Sequence, residues 1–220
     1  MPPKIPITRA RVLDAALRLV NERGAQGLTM RALATELDIE APSLYKHIAN
    51  KDEILDGLCE LVYNQVTVGE LDDDWQGRMK TYCQAFRDAL LANRNVACIV
   101  ATRPVATEGS MFLVEASLSE FIRAGVDVET GRRLLNIMAS FVVGHVLAEV
   151  ADPTPGAAEF DQLATFRATL DPQGFPLTLA TLGTSPADRD AEFELALDLL
   201  IDGIMVRFAN ELAVAESAAV

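Results

Sequence analysis

The sequence predicts an all-α protein: a small amino-terminal three-helix domain containing a helix-turn-helix, followed by a larger helical domain. Three observations carry that prediction. Apolar residues return every three or four positions along successive segments, the spacing of one helical face. Capping residues and Gly or Pro breakers separate those segments. Residues 29–51, TMRALATELDIEAPSLYKHIANK, read as two short helices joined by a tight corner.

Val12, Ala15, Ala16, Leu19 and Val20 mark the inner face of a first helix over residues 8–23, ended by Gly24. Thr29 offers its hydroxyl as the cap of a second helix, with Leu33, Ala34 and Leu37 on one face. Asp38, Ile39 and Glu40 turn the chain, and Ile39 plugs the corner. Pro42 suits the first turn of a third helix over residues 42–47, because its missing N–H has no partner there anyway. Leu44 and Ile48 turn inward, which leaves Ser43, Tyr45, Lys46 and His47 on the outer face. Asn50 caps a fourth helix, whose first turn sets the Lys51 cation beside free backbone N–H groups where a phosphate can lie. Its stripe of Ile54, Leu55, Leu58, Leu61, Val62 and Val66 joins this domain to the rest of the chain.

Gly69 and the acidic run at 72–74 precede a long helix over residues 73–93. The acidic run is favourable charge at a helix amino terminus; a metal site, the sharper alternative, lacks further ligands at a regular spacing. After Arg103 and Pro104, helices are expected over residues 109–124 and 129–150. The second is apolar around much of its circumference, through Leu134, Leu135, Ile137, Met138, Phe141, Val142, Val143, Val146 and Leu147. A final helix over residues 187–215 repeats the property with Phe193, Leu197, Leu199, Leu200, Ile201, Ile204, Met205, Phe208 and Leu212. Pairing these two helices across a two-fold axis as a four-helix bundle buries both surfaces and makes a homodimer; core helices of a monomer are the alternative. Between them, the Pro- and Gly-rich residues 152–186 form a long connection with one short helix near 159–170. The expected units are residues 1–50, a connecting helix at 51–68, and a larger helical domain carrying the dimerisation helices at 69–220.

Half of the 220 residues are hydrophobic, enough for a sizeable core, and the net charge is -13. That charge divides unevenly: residues 1–51 carry net +3 and the remainder net -16. Cations therefore concentrate where phosphate contacts are expected, while the acidic body stays off the duplex. Cys59, Cys83 and Cys98 have neither disulfide-framework nor zinc spacing and read as reduced thiols. The amino terminus has no apolar leader, and charges interrupt the apolar stretches short of a bilayer span, so a cytoplasmic protein without a membrane partner is expected. No phosphate-binding glycine loop, nucleophile elbow or H-E-x-x-H signature appears, and His47 and His145 are the only histidines. Neither an enzyme nor a bound cofactor is expected. An all-helical carrier of hydrophobic small molecules fits the body but leaves the basic segment unexplained.

Arg31, Ser43, Tyr45, Lys46, His47 and Lys51 are the expected contacts to double-stranded operator DNA, with Ala41 and Pro42 placed to touch a thymine methyl. Gly24, Thr29, Arg31, Leu33, Ala34, Leu44, Tyr45, His47 and Lys51 match the pattern G-x-x-x-x-T-x-R-x-L-A, then L-Y-x-H-x-x-x-K. In that pattern the chain resembles the TetR family of bacterial repressors. DWQGRMKTYCQAFRDALLANRN, the A-T-R-P at 101–104, FVVGHVLAEVAD and FELALDLLIDGI further resemble the ligand-binding domain of tetracycline repressors. The resemblance implies a repressor released from a palindromic operator by a small molecule; a TetR-type activator is the alternative. It places Tyr82, Phe86, Thr102, Arg103, Met111, Leu113, Leu118, Phe141 and His145 around the effector. Tetracycline repressors hold their drug as a magnesium chelate through a histidine and a glutamate. Those positions are Ile99 and Ala148 here, with Glu149 adjacent, and Tyr82 replaces a drug-contacting asparagine. The resemblance thus implies an apolar or aromatic effector bound without the metal.

Overall fold

The computed structural model describes residues 6–66, 74–104, 107–151, 165–181 and 188–218, and no strand occurs among them. The amino-terminal unit is α1 (Arg9–Gly27), α2 (Met30–Glu36) and α3 (Ala41–Leu44), followed by α4 (Lys51–Tyr63). The body is α5 (Trp75–Ala92), α6 (Arg94–Thr102), α7 (Glu108–Arg123), α8 (Val128–Ala151), α9 (Pro176–Thr181) and α10 (Arg189–Ala218).

Thr8 caps α1 by accepting from the Arg11 N–H, and Val12, Leu13, Ala15, Ala16, Leu19 and Val20 are buried on its inner face. Gly24 breaks the helix as expected, at φ 69°, but the chain makes one further short turn to Gly27. Positive φ costs glycine nothing because it has no Cβ. Leu28 then drops into the core fully buried. Helices α1 and α4 meet closely at Gly57 of α4, where a Cβ would lie 2.5 Å from Leu13 Cδ2.

Between α4 and α5, residues 67–73 lie outside the described residues, and with them Gly69 and two of the three acidic residues at 72–74. Asp74 caps α5 by accepting from the Gly77 N–H at 2.7 Å. Trp75, which opens α5, is buried against Phe121 of α7 with ring centroids 6.0 Å apart. The expected long helix ends on time at Asn93, but the chain re-enters a helix at once, and α6 was not foreseen. The reason is local: Asn93 both ends α5 and precedes α6 without capping it, and no Gly or Pro separates the two helices. Instead the Asn93 amide donates back to Ala89 O and to Gln65 Oε1.

Thr107 caps α7, Gly125 at φ 88° ends it, and Asp127 starts α8 by accepting from the Glu129 and Thr130 N–H groups. The expected helix near 159–170 is described only from residue 165, where residues 165–169 are helical, and α9 was not foreseen. Helix α8 buries Leu134, Met138, Val142 and Val146 on one stripe, and α10 buries Phe193, Leu197, Ile201 and Ile204. Each fully buried aliphatic side chain of this kind contributes about 1.5–3 kcal/mol. One expectation is corrected here: residues 128–150 of α8 are long and apolar enough to cross a membrane by length and composition, with mean hydropathy 1.4. Its buried stripe packs instead on α5, α6 and α7. A core helix needs such apolar character too.

Candidate DNA-binding face and ligand cavity

The corner between α2 and α3 is a helix C-cap turned in the left-handed region. Asp38 takes φ 53°, which short Asx side chains tolerate. The Ile39 N–H then donates to Ala34 O at 3.0 Å, closing the turn, while Ile39 packs on the core. Thr29 caps α2 through a 3.1 Å bond from the Ala32 N–H. The third helix is shorter than expected: regular helix stops at Leu44, and residues 45–47 continue as turns, His47 and Ile48 both donating to Leu44 O. A four-residue helix holds its place through Leu44 and Ile48, 0% and 2% exposed.

With those two side chains pinned inward, Pro42, Tyr45, Lys46, His47 and Lys51 are exposed, and Ala41 and Ser43 are half-buried. Arg31 is exposed on α2, where Arg23, Thr29, Arg31, Ala32, Thr35 and Glu36 surround a small polar depression. Arg23 was not among the expected contacts; its only sequence signal is a cation next to the Gly24 break. At the start of α4, Asn50 accepts from the Glu53 N–H at 2.9 Å and Glu53 accepts from the Ala49 N–H at 2.6 Å. The first turn thus carries the carboxylates of Asp52 and Glu53 beside Lys51, which offsets its cation.

A cavity of about 670 Å³ opens among α4, α5, α6, α7 and α8. Tyr82, Phe86, Met111, Leu113 and Leu118 line it, as expected. Four expected lining residues stand elsewhere. Thr102 is exposed and bonds back to Cys98 O and Ile99 O. Arg103 reaches α4, bonding Asp56 Oδ1 at 2.7 Å and Asp52 Oδ1 at 3.1 Å, and the Asp56 bond holds its guanidinium above the usual arginine range. Phe141 stacks on Phe193 of α10 at 5.3 Å, and His145 Nε2 lies 3.0 Å from Arg189 O. Both face α10 because α8 turns them away from its cavity side, which carries Leu135, Ala139, Val143 and Leu147.

Residues missed by the sequence reading complete the wall, among them Tyr63, Cys83, Ser117, Arg132 and Asn136. Burial pushes the Tyr63 phenol and the Cys83 thiol each up to about 12, and Tyr82 upward as well. All three are therefore neutral near pH 7. The described lining contains no carboxylate and no imidazole. Ile99 is a buried hydrocarbon, Ala148 is exposed, and Glu149 is bound by Arg87, which also pairs with Asp190. These donors do not fit a magnesium chelate.

Helix α6 joins the two regions. Val100 and Ala101 face the cavity, the Asn95 amide donates to Asn21 O of α1 at 2.9 Å, and Arg103 at its end grips α4. Nearby, Gly109 of α7 abuts Glu60 of α4, where an added Cβ would lie 2.7 Å from the carboxylate oxygen.

Residues 12–58 match the family model described as bacterial regulatory proteins, tetR family, and residues 69–208 match that of the tetracyclin repressor-like C-terminal domain. The chain is 36% identical over 200 residues to the class A tetracycline repressor protein from transposon 1721 of Escherichia coli, covering 89% of each. Apo ActR from Streptomyces coelicolor superposes with TM-score 0.77 at 30% identity, over 97% of this chain and 98% of that one. ActR in complex with actinorhodin gives 0.80 at 28% identity, over 91% and 98%. With both halves matched and a 36% identical relative spanning nearly its whole length, the chain belongs to the TetR family of ligand-responsive, DNA-binding transcriptional repressors.

Proposed function

We propose that the chain acts as a homodimer on a palindromic operator and that a largely apolar, aromatic small molecule, held in the cavity without a metal, releases it. Arg31, Ala41, Pro42, Ser43, Tyr45, Lys46, His47 and Lys51 are the DNA-facing set, anchored from behind by Leu44 and Ile48. Arg23 joins them as a phosphate contact beside Arg31. The protein acts on DNA in the cytoplasm, and its role needs neither turnover chemistry nor a membrane. The observation that carries this reading is α6, which has two residues in the cavity wall and side chains fastened to α1 and α4.

Dimerisation is supported by the face of α10 opposite its buried row. Leu195, Leu199 and Val206 are 62%, 64% and 82% exposed there, and Ile137 on α8 is 50% exposed. Gly144 and Gly203 have open space around them, which lets a partner helix approach closely. Apolar rows of this kind mark contact surfaces, and a two-fold dimer sets two reading helices about 34 Å apart, one helical repeat of the duplex.

Ligand release is linkage: a molecule binding better to the conformation with displaced recognition helices weakens DNA binding by the same factor. The test is operator titration of the full chain with candidate aromatic ligands, with and without a chelator. Release unaffected by chelator supports the reading; tight binding in the cavity with unchanged operator affinity overturns it. Leu199→Glu should give a monomer in sedimentation that no longer shifts palindromic DNA, and a dimer that still binds would refute the α10 interface.

A further inference from the structure

We propose that the cavity selects anionic aromatic molecules, with Arg132 receiving the ligand's anionic oxygen while the hydroxyls of Ser117 and Tyr82 receive ring oxygens. This deepens the effector-site reading of the cavity and rests on it.

Arg132 is the one ionised group in the described lining, and nothing of opposite charge stands beside it in the wall. Its present partner is shared. Glu129 accepts from Arg132 Nε at 2.9 Å and Nη2 at 2.8 Å, and from Arg133 Nε at 3.1 Å. The other carboxylate of this turn, Asp127, is taken up by the Glu129 and Thr130 N–H groups, so Glu129 alone serves both guanidinium groups. Glu129 keeps Arg133 when Arg132 turns to a ligand, so the turn strands no charge. Arg132 is about half-exposed, where the wall meets solvent, so an anion reaches it without losing all its water. In a body of net -16, a cavity edged in positive charge is a local exception, and it repels cationic aromatics while drawing in anions.

The oxygen contacts follow from unpaired hydroxyls. Ser117 on α7 is 6% exposed and lines the cavity, and its hydroxyl makes no hydrogen bond with the described residues. The Tyr82 hydroxyl, also in the wall, makes none either. When a ligand displaces water from these hydroxyls, one with a matching acceptor replaces the lost hydrogen bonds, whereas a plain hydrocarbon does not. The cavity volume of about 670 Å³ fits a flat molecule of three or four rings.

The test compares anthraquinone-2-carboxylate with anthraquinone-2-carboxamide by isothermal titration on the full chain. The acid is expected to bind about fivefold tighter, the scale of a partly exposed ion pair with a hydrogen bond. Arg132→Gln should bring the acid to within about twofold of the amide, Arg133→Gln should preserve the preference, and Ser117→Ala should weaken both ligands alike. Equal affinities in the native chain, or a preference that survives Arg132→Gln, overturn the proposal and leave the effector cavity standing. If neither compound binds, or both still bind after Ala139→Trp or Val114→Trp fills the cavity, the effector-site reading fails as well.

Discussion

Arg103 donates from Nε to Oδ1 of Asp56 at 2.7 Å, tying the end of the cavity-wall helix α6 to α4, the helix behind the DNA-reading corner. Asp52 supplies the second carboxylate to the same guanidinium. Both Arg103 and Asp56 are largely covered, so the pair is held in one geometry rather than flickering in solvent.

Breaking that tie should uncouple the two regions. With a coupling of about 3 kcal/mol, a saturating cavity ligand lowers operator affinity roughly 150-fold. Asp56→Ala is expected to reduce that ratio to about tenfold while ligand affinity in the absence of DNA changes by less than about twofold. Arg103→Ala should do the same, and the double variant should add little. Titrations of labelled operator with and without ligand measure all three; a full-sized ratio in either single variant refutes this route.

On the DNA side, Arg31→Ala and Tyr45→Ala should each weaken operator binding by about tenfold without altering the sedimentation of the protein. Lys46→Ala should weaken all sequences alike and reduce the slope of log affinity against log salt by about one. Unchanged gel-shift midpoints would remove these side chains from the interface.

Packing between α1 and α4 depends on a missing methyl group. Gly57→Ala places a Cβ 2.5 Å from Leu13 Cδ2 and 2.8 Å from Cδ1, so the buried Leu13 side chain or one of the two helices must shift. The expected cost is about 1–3 kcal/mol, read from urea denaturation by circular dichroism. Leu13→Ala in the same chain should recover part of it, because it clears the space.

The thiols should separate by position. Burial pushes Cys59 up to about 11 and Cys83 up to about 12, so both stay protonated at pH 8, and thiolate at either site forms only as pH climbs toward those values. Cys98 is exposed. At pH 8 iodoacetamide should therefore label Cys98 in the native protein, and all three cysteines once it is denatured. Rapid labelling of Cys83 in the native state would contradict the buried placement.

The amino-terminal unit was legible because its signals are local. Thr8, Thr29 and Asn50 cap their helices with their own side chains, and Leu44 with Ile48 set the inner face at helical spacing. Helix α6 was not legible, since no Gly or Pro separates it from α5 and its role depends on partners far away in sequence, Asn21, Asp52 and Asp56. The cavity was half legible for a related reason. Periodicity identifies α8 as apolar on several sides but does not say which side meets a void, so Phe141 and His145 were assigned to the cavity while they face α10, and Leu135 and Val143 to packing while they line it.

Trp75 is the chain's single tryptophan, and its position at the root of α5 makes it a built-in optical probe. Its indole lies against Phe121, and its Nε1 hydrogen has no partner among the described residues, so the native emission should sit at short wavelength and move to the red only when α5 and α7 part. Because α7 also lines the cavity and abuts α4 through Gly109, the protein carries an unlabelled gauge of one wall of that cavity.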